Sequence, residues 1–109
     1  MEALVGIDVG TTGVKGVAIS PDGTVLATAE EGYPLSTPRV GWSEQDPEDW
    51  WRASRMVLAR LVDAVGATSR IAGIGLSGQM HGLVALDASD RVVRPAILFV
   101  VIGLLIVMG

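Results

Sequence analysis

The amino-acid sequence predicts a mixed α/β domain in which three strands precede one helix and further strands follow it. Short apolar runs separated by turn residues fill the first part of the chain, and a capped amphipathic pattern begins at Asp46. Half of the residues are hydrophobic and 18% are charged, as is typical of a folded protein. A chain of 109 residues is long enough for one small domain with a modest core.

Three strands are predicted at the start of the chain. Residues 4–9 form a short, largely apolar run that is followed by Gly10, which indicates a buried strand. The sequence Pro-Asp-Gly at residues 21–23 is a strong signal for a tight turn, so the strands on either side of it are expected to run antiparallel. The second and third predicted strands are residues 14–20 and 24–31.

A helix is predicted to begin after Asp46 and to end at Gly66. Asp46 is a favourable N-cap, and Pro47 suits the first helical position. Glu48 and Asp49 favour the positive end of the helix dipole. The stripe predicted to face the core consists of Trp50, Ser54, Val57, Leu58, Leu61, Val62 and Val65.

Strands are also predicted after the helix. Residues 71–77 form a fourth apolar run. Residues 82–86 and 92–98 are predicted to pair as a hairpin about a turn at residues 87–90.

Charge and composition exclude several classes of protein. The net charge of −4 argues against a nucleic-acid partner, because phosphate contacts need a basic surface. The absence of cysteine excludes disulfide scaffolds and zinc–thiolate sites. The first residues carry neither a basic region nor a long apolar stretch, so no secretory signal is predicted and a cytoplasmic location is expected.

The first candidate for chemistry is the segment from Gly6 to Lys15. An aspartate, Asp8, ends a predicted buried strand, and glycines and threonines follow it. Such a turn can direct backbone N–H groups and hydroxyls at a phosphate, and one carboxylate can hold Mg²⁺ beside substrate phosphates. The alternative is a hairpin with a polar tip and an exposed lysine. The segment is not a Walker A loop, which needs Gly-Lys-Ser/Thr before a helix.

Three further segments have a functional and a structural interpretation. Residues 73–78 match the dinucleotide pattern G-x-G-x-x-G, but we reject that interpretation because the glycines lie inside a predicted strand; they are expected to allow a close neighbour instead. Residues 77–82 hold the single histidine, His81, which could contact a ligand or be an ordinary satisfied polar residue. Trp50 and Trp51 could stack on a sugar or pack the helix onto the sheet.

Taken together and in this order, four segments resemble the N-terminal part of FGGY-family carbohydrate kinases, over about residues 2–98. They read "GIDVGTTGVKGV", "GWSEQDPEDWW", "IGLSGQMHGLVALD" and "VVRPAIL". The combination of "WSEQDP" with "SGQMHG" is most similar to the xylulokinases within the family. The resemblance implies a ribonuclease H-like fold of the actin-like ATPase and sugar kinase superfamily, present here as an incomplete domain. It also implies transfer of the γ-phosphoryl group of ATP, with Mg²⁺, to a ketose such as D-xylulose.

The resemblance also implies roles for particular residues. Asp8 would be catalytic by positioning Mg²⁺, directly or through water. The residues implied to bind the nucleotide are Thr11, Thr12, Gly13 and Lys15. The residues implied to bind the sugar are Gln79, Met80 and His81.

The family pattern stops near Leu98. Family members continue with a segment like Trp-Asn-Asp-x-Arg, whereas this chain continues with the apolar residues 99–109, and the family's general base and adenine-binding domain lie further downstream. One hypothesis is therefore a truncated or frame-shifted kinase fragment, 1–98, that is catalytically incomplete. The other is a stand-alone phosphate- or sugar-binding module, tethered to a membrane by its tail. The apolar run from residue 96 is shorter than the roughly 20 residues that a spanning helix needs, so a membrane role is not favoured.

Overall fold

The computed structural model describes residues 2–66, 69–79 and 82–98. The elements alternate largely as the sequence predicts, with the meander first, then the helix, then further strands. They are β1 (Glu2–Val9), β2 (Gly13–Ile19), β3 (Val25–Gly32), β4 (Ser43–Gln45), α1 (Pro47–Val65), β5 (Arg70–Gly78), β6 (Gly82–Leu83) and β7 (Ala96–Leu98). The predicted meander, helix and fourth strand are confirmed, with ends that differ by one or two residues.

The larger sheet has the strand order β3-β2-β1-β5. β1 pairs antiparallel with β2, as a hairpin-connected neighbour, and parallel with β5 on its other side. A parallel neighbour requires a crossover connection, which here comprises β2, β3, β4 and α1. As a result, the carboxyl ends of β1 and β5 meet at the same edge of the sheet.

Helix α1 packs across β1, β2 and β3 on one face of this sheet. Its buried residues are Ala53, Val57 and Leu61, spaced four residues apart. The buried face of α1 is therefore rotated relative to the predicted stripe. Ala53 takes the core position predicted for Ser54, and Val62 is 45% exposed. The remaining members of this core cluster are Val5, Ile7, Val14, Ala18 and Tyr33.

Both predicted ends of the helix are confirmed. The Asp46 carboxylate accepts a hydrogen bond of 3.0 Å from the backbone N–H of Glu48. At the other end Gly66 has φ of 72°, and its N–H donates to the carbonyl of Val62. A positive φ of this kind favours glycine, which explains why the helix ends here.

The smaller sheet has the order β4-β7-β6. The predicted hairpin after β5 is present, but its paired strands are much shorter than predicted: β6 pairs with β7, and an isolated bridge joins Leu86 and Val92. β4 was missed, because a three-residue polar strand has no apolar alternation to mark it. Its pairing with β7 is accompanied by an ion pair between Glu44 and Arg94.

The predicted division of the chain into residues 1–98 and a tail stays a prediction. The tail, residues 99–109, lies outside the described residues. Within the part of the chain that the structure describes, no helix is both long enough and apolar enough to cross a membrane.

Gly16 is the point where α1 approaches the sheet most closely. A Cβ atom at this position would lie 2.4 Å from Cγ1 of Val57 and 2.9 Å from Cδ1 of Leu61. We therefore expect Gly16→Ala to lower the free energy of unfolding by about 1–3 kcal/mol, the usual cost of overpacking a core. Urea unfolding followed by tryptophan fluorescence measures the change.

Gly75→Ala is the matched control for this substitution. Gly75 is also a glycine inside a strand, but a Cβ there would meet no described atom within 4 Å. We expect this variant to be neutral or slightly more stable, because glycine weakens a strand interior. Equal destabilisation by both variants would contradict the proposed packing role of Gly16.

Candidate active site

The β1–β2 loop, residues 10–13, lies at the carboxyl end of β1, where β5 also ends. The loop is closed by a hydrogen bond of 2.9 Å from the N–H of Gly10 to the carbonyl of Gly13. Directly after β5, the N–H of Gln79 donates to the carbonyl of Val9, also at 2.9 Å. Polar residues that are far apart in the sequence therefore converge at this edge of the sheet.

Three polar residues form a row across the strands beside this loop. Asp8 on β1 is in register with Lys15 on β2 and with Ser77 on β5. Directly opposed residues point to the same face, with Cβ atoms about 5 Å apart. This face is the one opposite α1, and all three residues are exposed there. They line an open pocket of about 420 Å³, within the size range of small-molecule sites.

Tyr33 holds the β1–β2 loop from the side of β3. Its hydroxyl donates to the carbonyl of Gly10, and its backbone N–H donates to the carbonyl of Thr12 at 3.3 Å. The side chain is only 8% exposed. Gly13 lets the end of β3 come close to this loop, because a Cβ atom at position 13 would lie 2.5 Å from the carbonyl oxygen of Glu31.

On the other side, a ring of hydrogen bonds joins the loop to β4 and to the end of β5. The Gln45 side-chain amide donates to the carbonyl of Thr11. The Gln79 amide donates to Oε1 of Gln45 at 3.3 Å, and the Thr11 hydroxyl donates to Oε1 of Gln79 at 3.1 Å. Trp50 adds a hydrogen bond of 2.8 Å from its indole N–H to Oε1 of Gln45.

The tryptophans divide between two environments. Trp50 packs against the core cluster, so the packing interpretation is confirmed for it. Trp51 is 60% exposed, with the Arg55 guanidinium 5.4 Å from the ring centroid, so the packing interpretation is wrong for this residue. Position 51 faces outward because the buried stripe of α1 runs through Ala53 and Val57.

The glycines of the dinucleotide-like pattern all lie within β5, as predicted. In the described part of the chain, the expected close neighbour is approached only at Gly78, where a Cβ atom would lie 3.4 Å from the carbonyl oxygen of Val9. A Cβ atom at Gly73 would lie 3.6 Å from the Leu4 side chain, which is an ordinary contact, and one at Gly75 would meet no described atom within 4 Å.

The carboxylates present fit a magnesium ion that arrives with phosphates. Among the described residues, no group of three or more Asp, Glu or His side chains is arranged to hold a metal ion by itself. Asp8 offers one exposed carboxylate beside the loop. Magnesium in phosphoryl-transfer sites commonly takes one or two carboxylates and completes its shell with phosphate oxygens and water, so one carboxylate is a sufficient protein contribution.

Comparison with known proteins identifies the family. The profile of the N-terminal domain of the FGGY family of carbohydrate kinases matches residues 3–101. The chain belongs to the FGGY family of carbohydrate kinases. It is 44% identical over 95 residues to a xylulose kinase from Escherichia coli, covering 87% of this chain and 19% of that protein.

Solved structures of sugar kinases contain the same fold. A xylulose kinase from Rhodospirillum rubrum superposes with a TM-score of 0.86 at 37% identity, covering 89% of this chain and 20% of that one. A gluconate kinase from Lactobacillus acidophilus superposes with a TM-score of 0.83 at 34% identity, covering 88% of this chain and 19% of that one. The predicted α/β fold, a partial ribonuclease H-like domain, is therefore confirmed. The chain spans about a fifth of the length of these relatives.

Most of the predicted site residues of this FGGY-family chain come together. Asp8, Lys15 and the loop residues Thr11, Thr12 and Gly13 lie within one short stretch, and Gln79 is hydrogen-bonded to Thr11. Met80 and His81 lie outside the described residues. Their roles, like those of the loop residues, stay predictions.

The sequence analysis missed three residues at this site. Tyr33 gave no signal, and Gln45 was noted only as part of the segment "GWSEQDPEDWW", because the importance of both depends on contacts with segments remote in the sequence. Ser77 was likewise noted only as part of a polar segment. Its place beside Asp8 follows from the parallel register of β1 and β5.

Tyr33 provides a titration test of this geometry. Burial of the phenol and the nearby negative charge of Asp8 both raise the pKa of Tyr33 above its ordinary value of 10.0. Because the folded chain binds the phenol proton more tightly than the unfolded chain, ionisation of Tyr33 should leave the free energy of unfolding unchanged below pH 10. The free energy of unfolding should then fall as pH rises through the higher folded-state pKa. Tyr33 is the single tyrosine of the chain, so the ultraviolet absorbance of its phenolate reports it alone.

Asp8→Asn should lower the pKa of Tyr33 towards the ordinary value, because it removes the nearby negative charge. Asp63→Asn, an identical change on the exposed side of α1, should leave that pKa unchanged. A wild-type pKa at or below the ordinary value would contradict the buried placement of Tyr33. An equal pKa in the wild type and in Asp8→Asn would contradict the proximity of Asp8.

Proposed function

We propose that this chain supplies the phosphate-binding part of a kinase that transfers the γ-phosphoryl group of ATP to a ketose sugar, D-xylulose. The observation that carries the proposal is the convergence of Asp8, Lys15 and the β1–β2 loop at one edge of the sheet. This edge offers a carboxylate for a metal ion, an ammonium group for phosphate charge, and a loop that includes two threonines. Membership of the FGGY family supports the same reaction class.

The residues at this edge of the sheet would have different roles, according to the chemistry of their side chains. Asp8 would hold Mg²⁺, directly or through a water molecule, beside the transferred phosphate. Lys15 would place positive charge near the phosphate oxygens. Thr11, Thr12 and Gly13 would form the loop that follows the phosphate chain. Mg²⁺, when bound with ATP, neutralises charge that develops on the phosphate oxygens, and positioning does most of the remaining work in phosphoryl transfer.

Gln79 would lie on the sugar side of the site, together with Met80 and His81. Its contact with Thr11 supports this assignment, because the sugar hydroxyl must approach the terminal phosphate held by the loop. D-Xylulose is proposed over other sugars because "WSEQDP" and "SGQMHG" occur together and because the E. coli relative is named a xylulose kinase. The likeness to a gluconate kinase makes the choice of sugar the first matter to test.

A complete reaction would need more groups than these. The acceptor hydroxyl must lose its proton to a base within hydrogen-bonding distance. Among the described carboxylates near the site, Asp46 caps α1 and Glu44 is paired with Arg94. Glu30 is in register with Lys15 but lies on β3, at the opposite side of the sheet from β5 and Gln79. We therefore propose that the base and the adenine site belong to parts of the kinase that the relatives have beyond the matched region.

The 109-residue chain, assayed alone, is therefore expected to show no ATP turnover that depends on D-xylulose. A coupled assay for ADP release, with and without the sugar, measures this. Sugar-dependent release that disappears in Asp8→Ala would contradict the proposal that the chain alone is incomplete. Sugar or phosphate binding without turnover is also what the stand-alone binding module predicts, so a second test is needed.

That second test places the chain in a complete kinase. A chimera is made in which residues 3–98 replace the matched segment of the E. coli xylulose kinase. We expect this chimera to phosphorylate D-xylulose in preference to gluconate. Asp8→Asn should lower its kcat by about 100-fold or more, because a metal ion at the transferring phosphate contributes several kcal/mol.

Asp63→Asn is the matched control in the chimera, since it removes an aspartate charge on the exposed side of α1. It should leave kcat within about twofold of the unsubstituted chimera, as surface substitutions usually do. A folded chimera that binds MgADP but does not turn over any sugar would favour the binding module over the kinase.

A further inference from the structure

Gln45 occupies a position that neither the sequence patterns nor the proposed chemistry explains. It is a glutamine at the end of β4, next to the N-cap of α1, and it is only 2% exposed. Buried amides are costly unless their donors and acceptors are satisfied. Gln45 meets this requirement by contacting three different segments of the chain.

The orientation of the Gln45 amide is fixed by its neighbours. The indole N–H of Trp50 can only donate, so the amide oxygen of Gln45 must face it. The carbonyl of Thr11 can only accept, so the amide nitrogen must face the loop. Both requirements give the same orientation of the amide group.

The contact with Trp50 fixes where this amide lies. Gln45 immediately precedes the N-cap, and Trp50 is the fourth residue of α1. These two positions commonly hold an apolar pair that sets the angle at which the chain enters a helix. Here a hydrogen bond joins them, so the packing of α1 against the sheet also determines the position of the amide.

We propose that Gln45 is a positioning residue that ties the β1–β2 loop to the start of the sugar-binding segment. Its nitrogen holds the carbonyl of Thr11, and its oxygen holds the side chain of Gln79, which in turn accepts from the Thr11 hydroxyl. The two glutamine side chains, with the hydroxyl and the backbone carbonyl of Thr11, thus form a closed ring between the two sides of the site. This inference rests on the proposed function, because it takes the loop as the phosphate side and Gln79 as the sugar side.

The sequence makes this ring unusually easy to observe. The chain has two glutamines, Gln45 and Gln79, and no asparagine. The side-chain amide region of a ¹H–¹⁵N spectrum therefore contains signals from the two members of the ring alone. In the wild-type chain, without any ligand, we expect nuclear Overhauser contacts from the Gln45 amide protons to Thr11 and to the Trp50 indole.

The decisive variant is Gln45→Met, which keeps the length of the side chain and removes its polar atoms. We expect the amides of residues 10–13 to lose order, as a fall in heteronuclear Overhauser values, and the Gln79 amide signals to move to those of free glutamine. The backbone amides that form the hydrogen bonds between β1 and β2 should keep their wild-type chemical shifts. Ser43→Ala, on the same strand and outside the ring, should change neither the loop nor Gln79.

Two results would overturn the inference. One is a folded Gln45→Met chain whose loop amides and Gln79 signals match the wild type. The other is a wild-type chain without contacts between the Gln45 amide and Thr11. The second result needs no variant, so the inference can fail even when Gln45→Met does not fold.

Gln45→Glu adds a narrower test, since it keeps acceptors for Trp50 and Gln79 and removes the donor to Thr11. The loop should loosen while Gln79 and Trp50 stay in place.

Titration with MgADP separates this inference from the proposed function. In the wild type we expect shifts in the loop and in the Gln79 side chain. In Gln45→Met the MgADP affinity should fall about 3- to 10-fold, the range of one lost hydrogen bond. A folded wild-type chain that shows an ordered loop and no response to MgADP would contradict the phosphate role of the loop and would support the positioning role of Gln45. An unchanged affinity in a folded Gln45→Met chain would count against positioning.

Discussion

The parallel pairing of β1 with β5 is the constraint on which the rest of the structure depends. It joins residues 2–9 to residues 70–78, and the remaining elements of the larger sheet, together with α1, lie in the connection between them. A parallel pair is possible only with such a crossover, and burial of the crossover helix on the sheet stabilises it. The same pairing brings the carboxyl ends of two strands together, so the β1–β2 loop and Gln79 meet at one edge.

The two faces of this sheet serve different purposes. The face under α1 is apolar and close-packed, to the point where Gly16 has no space for a Cβ atom. The opposite face carries the row of Asp8, Lys15 and Ser77 above an open pocket. Because side chains alternate along a strand, the residues that bury the core and those that face the pocket are neighbours in the sequence. A shift of register by one residue would exchange them, so the core determines where Asp8 points.

The β1–β2 loop is held from two sides by residues that come from different parts of the sequence. Tyr33, directly after β3, binds Gly10 and Thr12, and Gln45 binds Thr11 from β4. Both are buried polar residues, and the side chain of each donates a hydrogen bond to a backbone carbonyl of the loop. Such bonds fix the path of the loop by holding its backbone. A loop held in this way would suit the proposed phosphoryl transfer, in which the position of the phosphates matters more than any covalent step by the protein.

The sequence by itself determined the meander, the capped helix and the loop with Asp8 and Lys15. These depend on local patterns: apolar runs, turn residues, a cap, and the order of residues in one short segment. The tertiary structure alone decided which helix face is buried, that Ser43–Gln45 is a strand, and that Gln45 and Gln79 share hydrogen bonds. Each of these depends on contacts between residues 34 or more positions apart, or on the packing of one element against another. No local pattern records such contacts, because a glutamine that bridges two segments has the same neighbours in sequence as one that faces water.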